Sequence, residues 1–178
     1  MNMWAVIIVA IVALAIVLWF VLRNKRTKHL RQRFGPEYER TVSEQGNRSR
    51  AERELESREK RVERLHIRAL DPRDRERFAE AWREDQKRFV DDPKGAVMEA
   101  DRLVTEVMKA RGYPVADFDE RVDYISVDHP RVVENYRAAR VIVDRHKRGE
   151  AGTEDLRQAL IYYRALFDEL LELAEVRR

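Results

Sequence analysis

The chain begins with an unbroken run of apolar positions. The twenty residues from Met3 to Leu22 include no charged side chain. As a helix they would extend about 30 Å, which matches the hydrocarbon thickness of a bilayer. Trp4 and Trp19 lie near its two ends, where indole rings settle at the level of lipid headgroups. The pattern predicts a single-pass transmembrane helix over residues 1–22. Its length, and the lack of a charged segment before it, disfavour a cleaved signal peptide.

Beyond residue 70 the apolar positions follow helical spacing, and helix-starting and helix-stopping residues separate them. Asp71-Pro72, Asp92-Pro93 and His129-Pro130 each place proline at a predicted first helical position. Gly112 and Gly149 each follow an arginine, which is typical of a helix end. No stretch of strand length alternates apolar and polar residues. These features predict a compact domain of four or five helices over residues 71–178.

Four apolar stripes and one shorter helix supply the predicted core of that domain. The shorter helix is expected around Asp117–Ile125, and Thr153 is expected to cap the last one. Ser126 or Asp128 is expected to cap the helix that begins near Pro130. The predicted core positions are Phe78, Trp82, Phe89, Ala96, Val97, Ala100, Leu103, Val104, Val107, Met108, Phe118, Val122, Ile125, Val132, Val133, Tyr136, Ala139, Val143, Leu156, Ala159, Leu160, Tyr163, Leu166, Phe167, Leu170 and Leu171.

The segment between the apolar run and this domain is strongly charged. Residues 23–46 form a basic juxtamembrane segment followed by a short helix, which Gly35-Pro36 and Gly46-Asn47 delimit. Residues 47–70 are rich in Arg and Glu, and they predict a solvated helical stalk. A weak apolar seam within residues 51–65 leaves self-association open as an alternative. The predicted fold class is therefore all-α, with a transmembrane helix, a charged helical stalk and a helical C-terminal domain.

The distribution of charge predicts an orientation and argues against one class of partner. Positive flanks stay in the cytoplasm, so we expect the N-terminus outside and the C-terminal domain in the cytoplasm of a single-pass membrane protein. Residues 71–178 hold 21 basic and 25 acidic side chains, a net charge of −4, which disfavours a nucleic-acid partner. The positive charge is clustered directly after the apolar run. This cluster predicts contact with the membrane surface and leaves a preference for anionic lipids open. Its members are Arg23, Lys25, Arg26, Lys28, Arg31 and Arg33.

Candidate chemistry is sparse. The absence of cysteine excludes disulfides, thiolate metal sites and a cysteine nucleophile. The glycine-rich phosphate motifs, the zinc-protease motif and the nucleophile elbow are also missing. Glu63 and His66 have the spacing of a di-iron ligand pair but lack the second pair that such a site needs. Ser126, Asp128 and His129 contain the residue types of a hydrolytic triad, but neighbouring side chains diverge. We therefore expect no enzyme activity, no metal and no cofactor.

Aromatic residues provide the remaining candidate for binding. Tyr136, Tyr162, Tyr163 and His129 are a candidate partner surface, although tyrosines at helical spacing more often pack in a core. Adjacent helical positions point about 100° apart, so one of Tyr162 and Tyr163 should lie at the edge of the core or outside it.

Six segments of the chain together carry a family resemblance. They are Phe34-Gly-Pro-Glu-Tyr38, Gly112-Tyr-Pro-Val-Ala-Asp-Phe118, Ser126-Val-Asp-His-Pro130, Glu134-Asn-Tyr-Arg137, Glu154-Asp-Leu-Arg-Gln158 and Tyr163-Arg-Ala-Leu-Phe167. With these segments the chain resembles a family of uncharacterised bacterial single-pass membrane proteins with a helical C-terminal domain. The resemblance implies a setting in the bacterial inner membrane and supplies no catalytic residues.

These observations favour one function and keep a second open. The first is a membrane-anchored cytoplasmic interaction or scaffold module that binds the lipid bilayer and an unidentified protein. The alternative is a small-molecule-binding protein or enzyme with a pocket inside the C-terminal bundle. That alternative requires a carboxylate or histidine with a strongly shifted pKa among convergent polar groups.

Overall fold

The fold is all-α across the residues that the computed structural model describes. These are residues 3–115 and 117–172, without the side chains of residues 5–10 and 172. The helices, in chain order, are α1 (Met3–Phe34), α2 (Pro36–Gln45), α3 (Arg48–Glu63), α4 (Pro72–Arg88), α5 (Pro93–Arg111), α6 (Phe118–Asp128), α7 (Val133–Lys147) and α8 (Thr153–Glu172). The described segments contain no strand, so the predicted fold class is confirmed at this level.

The chain divides into two compact units, Met1–Ser57 and Arg58–Arg178. In the first, α1 continues for 32 residues, so the basic stretch after the apolar run is helical. Gly35, at a φ of 50°, ends α1, and Pro36 begins α2. The buried apolar side chains of this unit are Leu30, Phe34, Tyr38, Ala51 and Leu55.

In the part of the chain that the structure describes, none of the helices is both long enough and apolar enough to cross a membrane. The predicted transmembrane run includes residues 5–10, whose side chains the structure does not describe.

The structure differs from the predicted solvated stalk. Ala51, Glu52 and Leu55, one turn apart on α3, are almost fully buried within the first unit. Val62, farther along α3, is 6% exposed within the second unit. Because Leu55 and Val62 already pack inside the chain, the predicted self-association seam would have to give up these contacts in order to pair with a second copy.

Four or five helices were expected after residue 70, and the described part of the second unit contains five there, α4 to α8. Two of its predicted helix starts are confirmed, since the Asp71 and Asp92 carboxylates accept hydrogen bonds from the backbone N–H groups of Asp74 and Gly95. The C-terminal half of α3 joins this unit through Asp123 on α6. That carboxylate pairs with Arg58 at 3.0 Å and Arg61 at 2.9 Å.

Helix α8 lies at the centre of the second unit, where it packs against α5 and α7, while α4 packs on α5. Trp82 of α4 stacks on Phe167 of α8 with ring centroids 4.4 Å apart. The predicted apolar stripes are buried here, which confirms most of the predicted core. The buried positions are Phe78, Trp82, Ala96, Val97, Ala100, Leu103, Val104, Val107, Met108, Val122, Ile125, Val133, Tyr136, Ala139, Leu156, Ala159, Leu160, Tyr163, Leu166, Phe167 and Leu170.

The predicted helix start at His129-Pro130 is wrong. Helix α6 continues to Asp128, and α7 begins at Val133 without a side-chain cap. Ser126 lies inside α6, where its hydroxyl donates to the Asp123 carbonyl at 2.7 Å. Asp128 instead accepts a hydrogen bond from the Tyr113 hydroxyl at 2.8 Å. Neither residue therefore caps α7.

Gly112 ends α5 in a conformation that a side chain would disturb. Its φ is 96°, and a Cβ atom there would lie 2.6 Å from the backbone oxygen of His66. Gly149, just beyond α7, has a φ of 75°, but a Cβ atom there would have no neighbour within 4 Å. The two glycines thus share a backbone constraint but differ in the space around them.

We predict that Gly112→Ala lowers the free energy of unfolding by about 2–4 kcal/mol, because steric overlap adds to the left-handed backbone cost. Gly149→Ala, the matched control, carries the backbone cost alone, about 1–2 kcal/mol. Urea denaturation of the intact protein in mild detergent, followed by circular dichroism, measures both. Equal losses would contradict the close approach at Gly112.

Candidate functional site

The basic cluster of the sequence lies on one helix, α1, directly after the apolar run. Arg23, Lys25, Lys28 and Arg31 are exposed, whereas Arg26 and Arg33 are half-buried. Within the first unit, Arg26 pairs with Glu56, and Arg31 lies 3.1 Å from Glu39. The remaining exposed charge is concentrated in the two turns next to the apolar run. Such a cluster attracts an anionic surface.

The described apolar side chains of α1 point outward over several turns. Trp19, for example, is 53% exposed. Exposed apolar side chains on all sides of one helix are unusual for a surface in contact with water. The Arg23 guanidinium carbon lies 5.1 Å from the centroid of the Trp19 ring, at the junction between the apolar and basic parts of α1. The exposed apolar side chains are Met3, Trp4, Ile11, Val12, Leu14, Ile16, Val17, Leu18, Trp19, Phe20, Val21 and Leu22.

A buried carboxylate ties the basic part of α1 to the next two helices. Glu52 of α3 is 3% exposed and accepts hydrogen bonds from Thr27 of α1 at 2.7 Å and Tyr38 of α2 at 2.9 Å. Arg48 donates to the same oxygen at 3.0 Å. Burial alone would raise the pKa of Glu52, but these three donors together lower it. The carboxylate is therefore held in its charged form.

Most of the predicted aromatic partner surface is buried in the core of the second unit. Tyr136 and Tyr163 are fully buried and His129 is 1% exposed, so these three residues are corrected to core positions. Their burial follows from the packing of α7 on α8, which places Tyr163 on the same face as Leu166. Tyr162 is half-buried, which confirms that one member of the adjacent tyrosine pair lies at the edge of the core.

The two buried tyrosines form part of a polar group inside the second unit. Their ring centroids are 6.1 Å apart in an edge-on arrangement. The Tyr163 hydroxyl lies within reach of the Asp101 carboxylate, and the Tyr136 hydroxyl lies beside the Arg121 guanidinium. Burial raises the pKa of both phenols, and the nearby Asp101 carboxylate raises them further. Both hydroxyls are therefore protonated donors at neutral pH. The sequence pattern marked the tyrosines but gave no sign that Asp101 lies beside them.

Asp85 is a buried carboxyl group that the sequence analysis missed. It is 2% exposed, and neither side-chain oxygen has a described hydrogen-bond partner. Burial raises its pKa to about 7, helped by Glu99, while Arg88 and Arg102 act in the opposite direction. A signal was present, because Asp85 follows Trp82 by three residues on the stripe predicted to be buried.

His129 lies in a protected position with few partners. Its Nδ1 atom is 3.4 Å from Glu169 Oε1, and its buried Nε2 atom has no described partner. Burial lowers the pKa of His129, and the charge of Arg111 lowers it further against the opposing effects of Glu169 and Asp128. The ring is therefore neutral near pH 7.

Ser126, Asp128 and His129 do not form the hydrogen-bonded relay of a hydrolytic triad in the structure. The Ser126 hydroxyl bonds to a backbone carbonyl, and His129 turns toward Glu169. Glu63 and His66 are both exposed. Within the described ranges, no group of three His, Cys, Asp or Glu residues is arranged to hold a metal ion.

No protein-family model matches the chain, and neither a curated protein nor a solved structure matches it. The resemblance to bacterial single-pass membrane proteins accordingly stays an expectation that rests on the sequence segments alone.

The wild-type protein should lose stability as the pH rises from about 5 to about 8, and we predict that Asp85→Asn makes this loss smaller. A carboxyl group with a raised pKa binds its proton more tightly in the folded state, so its contribution is full below its ordinary pKa. That contribution is lost as the pH rises toward about 7. The gain in Tm of the variant over the wild type should therefore grow with pH, by several degrees.

Thermal unfolding of the intact protein at a series of pH values measures this gain. Asp91→Asn provides the matched control, because Asp91 is exposed and follows the same helix. A gain that is the same at every pH, or one shared by the control, would contradict the assignment of a raised pKa to Asp85.

Proposed function

We propose that this protein is a membrane-anchored helical interaction module, with α1 as the anchor and the helical second unit in the cytoplasm. The observation that carries the proposal is the exposed apolar surface of α1, which continues in the same helix into the basic cluster. An apolar helix surface of this extent is stable in lipid and costly in water. The positive residues that follow it favour the cytoplasmic side.

The basic cluster supports a preference for anionic lipids in the same proposal. Each lysine or arginine near an anionic surface contributes about 1 kcal/mol of attraction. Membrane binding therefore receives two independent contributions, one from the burial of the apolar part of α1 in lipid and one from the attraction of the basic cluster to anionic headgroups. Anchoring then raises the local concentration of the second unit near partners that are themselves membrane-bound.

The second unit offers isolated apolar side chains to a protein partner. Val90 is the most exposed of them, at 82%, and the others are Met98, Val115, Val141 and Ile161. They replace the buried tyrosines and His129 as candidate contact residues. Isolated exposed apolar residues are common, so a partner must recognise them together with the charged groups around them.

Ligand binding within the second unit is the alternative function. It is favoured by the buried Asp85 carboxyl group, whose oxygens have no described hydrogen-bond partner and whose pKa is raised to about 7 by burial. The cavity described in this unit lies elsewhere, with a volume of about 130 Å³ and a lining that includes Arg68, Leu70 and Asp71. The interaction module is therefore the function that we propose.

We predict that a single cysteine at Val90 is protected from a membrane-impermeant maleimide in spheroplasts and becomes labelled after lysis. The chain has no cysteine of its own, so one substitution reports one position. Asn2→Cys is the paired control and should be labelled without lysis. Both variants should stay with the membrane fraction through a high-salt wash.

Two results would contradict the proposal. Labelling of Val90→Cys before lysis would place the second unit outside the cytoplasm. Release of the protein by the salt wash would show that charge alone holds it to the membrane.

A further inference from the structure

A groove lies between α1 and the start of α3, within the first unit. Its volume is about 320 Å³, and it is lined by Trp19, Leu22, Arg23, Arg26, Ser49 and Glu52. The four α1 residues are spaced by three, one and three, so they share one face of the helix. The groove therefore has an apolar end at Trp19 and Leu22 and a charged end beyond them.

The charged end of the groove presents two guanidinium groups. Arg23 is exposed and lies over the Trp19 ring. Arg26, one turn farther, is half-buried and pairs with Glu56 of α3; its Nε and Nη2 atoms are buried, which leaves Nη1 for an occupant of the groove. Guanidinium groups bind phosphate oxygens in a planar, two-pronged arrangement that an ammonium group cannot reproduce. Two of them within one turn, beside the Ser49 side chain, suit a phosphate diester.

Glu52 adds a negative group to the same groove. Its described donors, Thr27, Tyr38 and Arg48, all bond to Oε1. Glu52 lines the groove, and its Oε2 atom takes part in none of these three bonds. Ethanolamine and glycerol headgroups carry a hydrogen-bond donor next to their phosphate, whereas choline carries none. A groove with both arginines and a carboxylate therefore suits the first two headgroups better than choline.

The position of the groove along α1 matches the headgroup layer of a bilayer. From Trp19 to Arg26 the helix axis advances about 10 Å. The polar layer on each side of a bilayer is roughly 5–7 Å thick. If the apolar run spans the hydrocarbon core, its last turn brings the apolar end of the groove to the lipid chains and the two arginines to the phosphates.

We propose that this groove binds the headgroup of one phospholipid. The phosphate diester lies between Arg23 and Arg26, a headgroup hydroxyl or ammonium donates to Glu52, and the first acyl carbons lie along Trp19 and Leu22. The site deepens the proposed membrane anchoring and depends on it. It differs from general attraction to a basic cluster, because only the residues that line the groove contribute.

Native mass spectrometry of the full-length chain, released from detergent micelles, tests the site. The probes are short-chain phosphatidylethanolamine, phosphatidylglycerol and phosphatidylcholine, with inorganic phosphate as a separate arm. We expect one bound lipid per chain with the first two and at least about tenfold weaker binding of the choline lipid. Inorganic phosphate should bind at least about tenfold more weakly than either, since it makes no contact with the apolar end.

Matched variants separate the groove from the surrounding charge. Arg23→Gln with Arg26→Gln should weaken binding of the two preferred lipids by about tenfold or more. Lys25→Gln with Lys28→Gln removes the same charge from the same stretch of α1 and should change binding by less than about twofold. Ser49→Phe fills the groove without altering any charge, so it should also abolish the bound lipid.

Several outcomes would overturn the site. Equal weakening in the arginine and lysine pairs would show diffuse attraction, and an unchanged bound lipid in Ser49→Phe would place it elsewhere. Phosphate binding as tight as lipid binding would indicate a free anion as the occupant. Retention on membranes through a salt wash is measured in the same preparations. Retention without a bound lipid contradicts the groove alone, and release of the wild-type chain contradicts the anchor itself.

Discussion

The hydrogen bonds to Glu52 are the interaction on which the first unit depends. A buried carboxylate without donors would cost several kcal/mol, and here one donor comes from each of α1, α2 and α3. While Glu52 is charged, α2 and α3 must therefore stay folded along the basic part of α1. The same constraint holds Ser49 opposite Arg23 and Arg26, so the groove exists only where this network is intact.

The second unit depends on a different principle, the burial of apolar faces around α8. One of its buried polar groups does not stabilise the fold. The Asp85 carboxyl group is buried and neither of its oxygens has a described partner, and such a group normally costs stability. A purely structural core could replace it with an apolar residue. Its presence is the physical reason for keeping ligand binding as the alternative function of this unit.

The sequence predicted helices well where local chemistry decides the structure. Asp71 and Asp92 begin helices and Gly112 ends one, because a cap or a left-handed residue acts within its own turn. Packing between distant segments was the source of the errors. Nothing local shows that His129 would close α6 rather than precede α7. The spacing of Asp85 from Trp82 does place it on the buried stripe, but a carboxylate is normally exposed, so its burial depends on the packing around α4. The groove was equally hidden, since it forms only when α3 returns to α1.

The proposed anchor requires the apolar part of α1 to be embedded in lipid, with Trp19 at the boundary. Quenching of tryptophan fluorescence by brominated phospholipids, in vesicles that hold the intact protein, tests it most directly. In a Trp4→Phe background, which removes the indole at the opposite headgroup layer, we expect strong quenching by lipids brominated close to the headgroup. Adding Trp19→Phe should cause a marked loss of that quenching. Trp82, which is 4% exposed in the second unit, contributes an unquenched background. Fluorescence that is the same in brominated and ordinary lipid would contradict the claim.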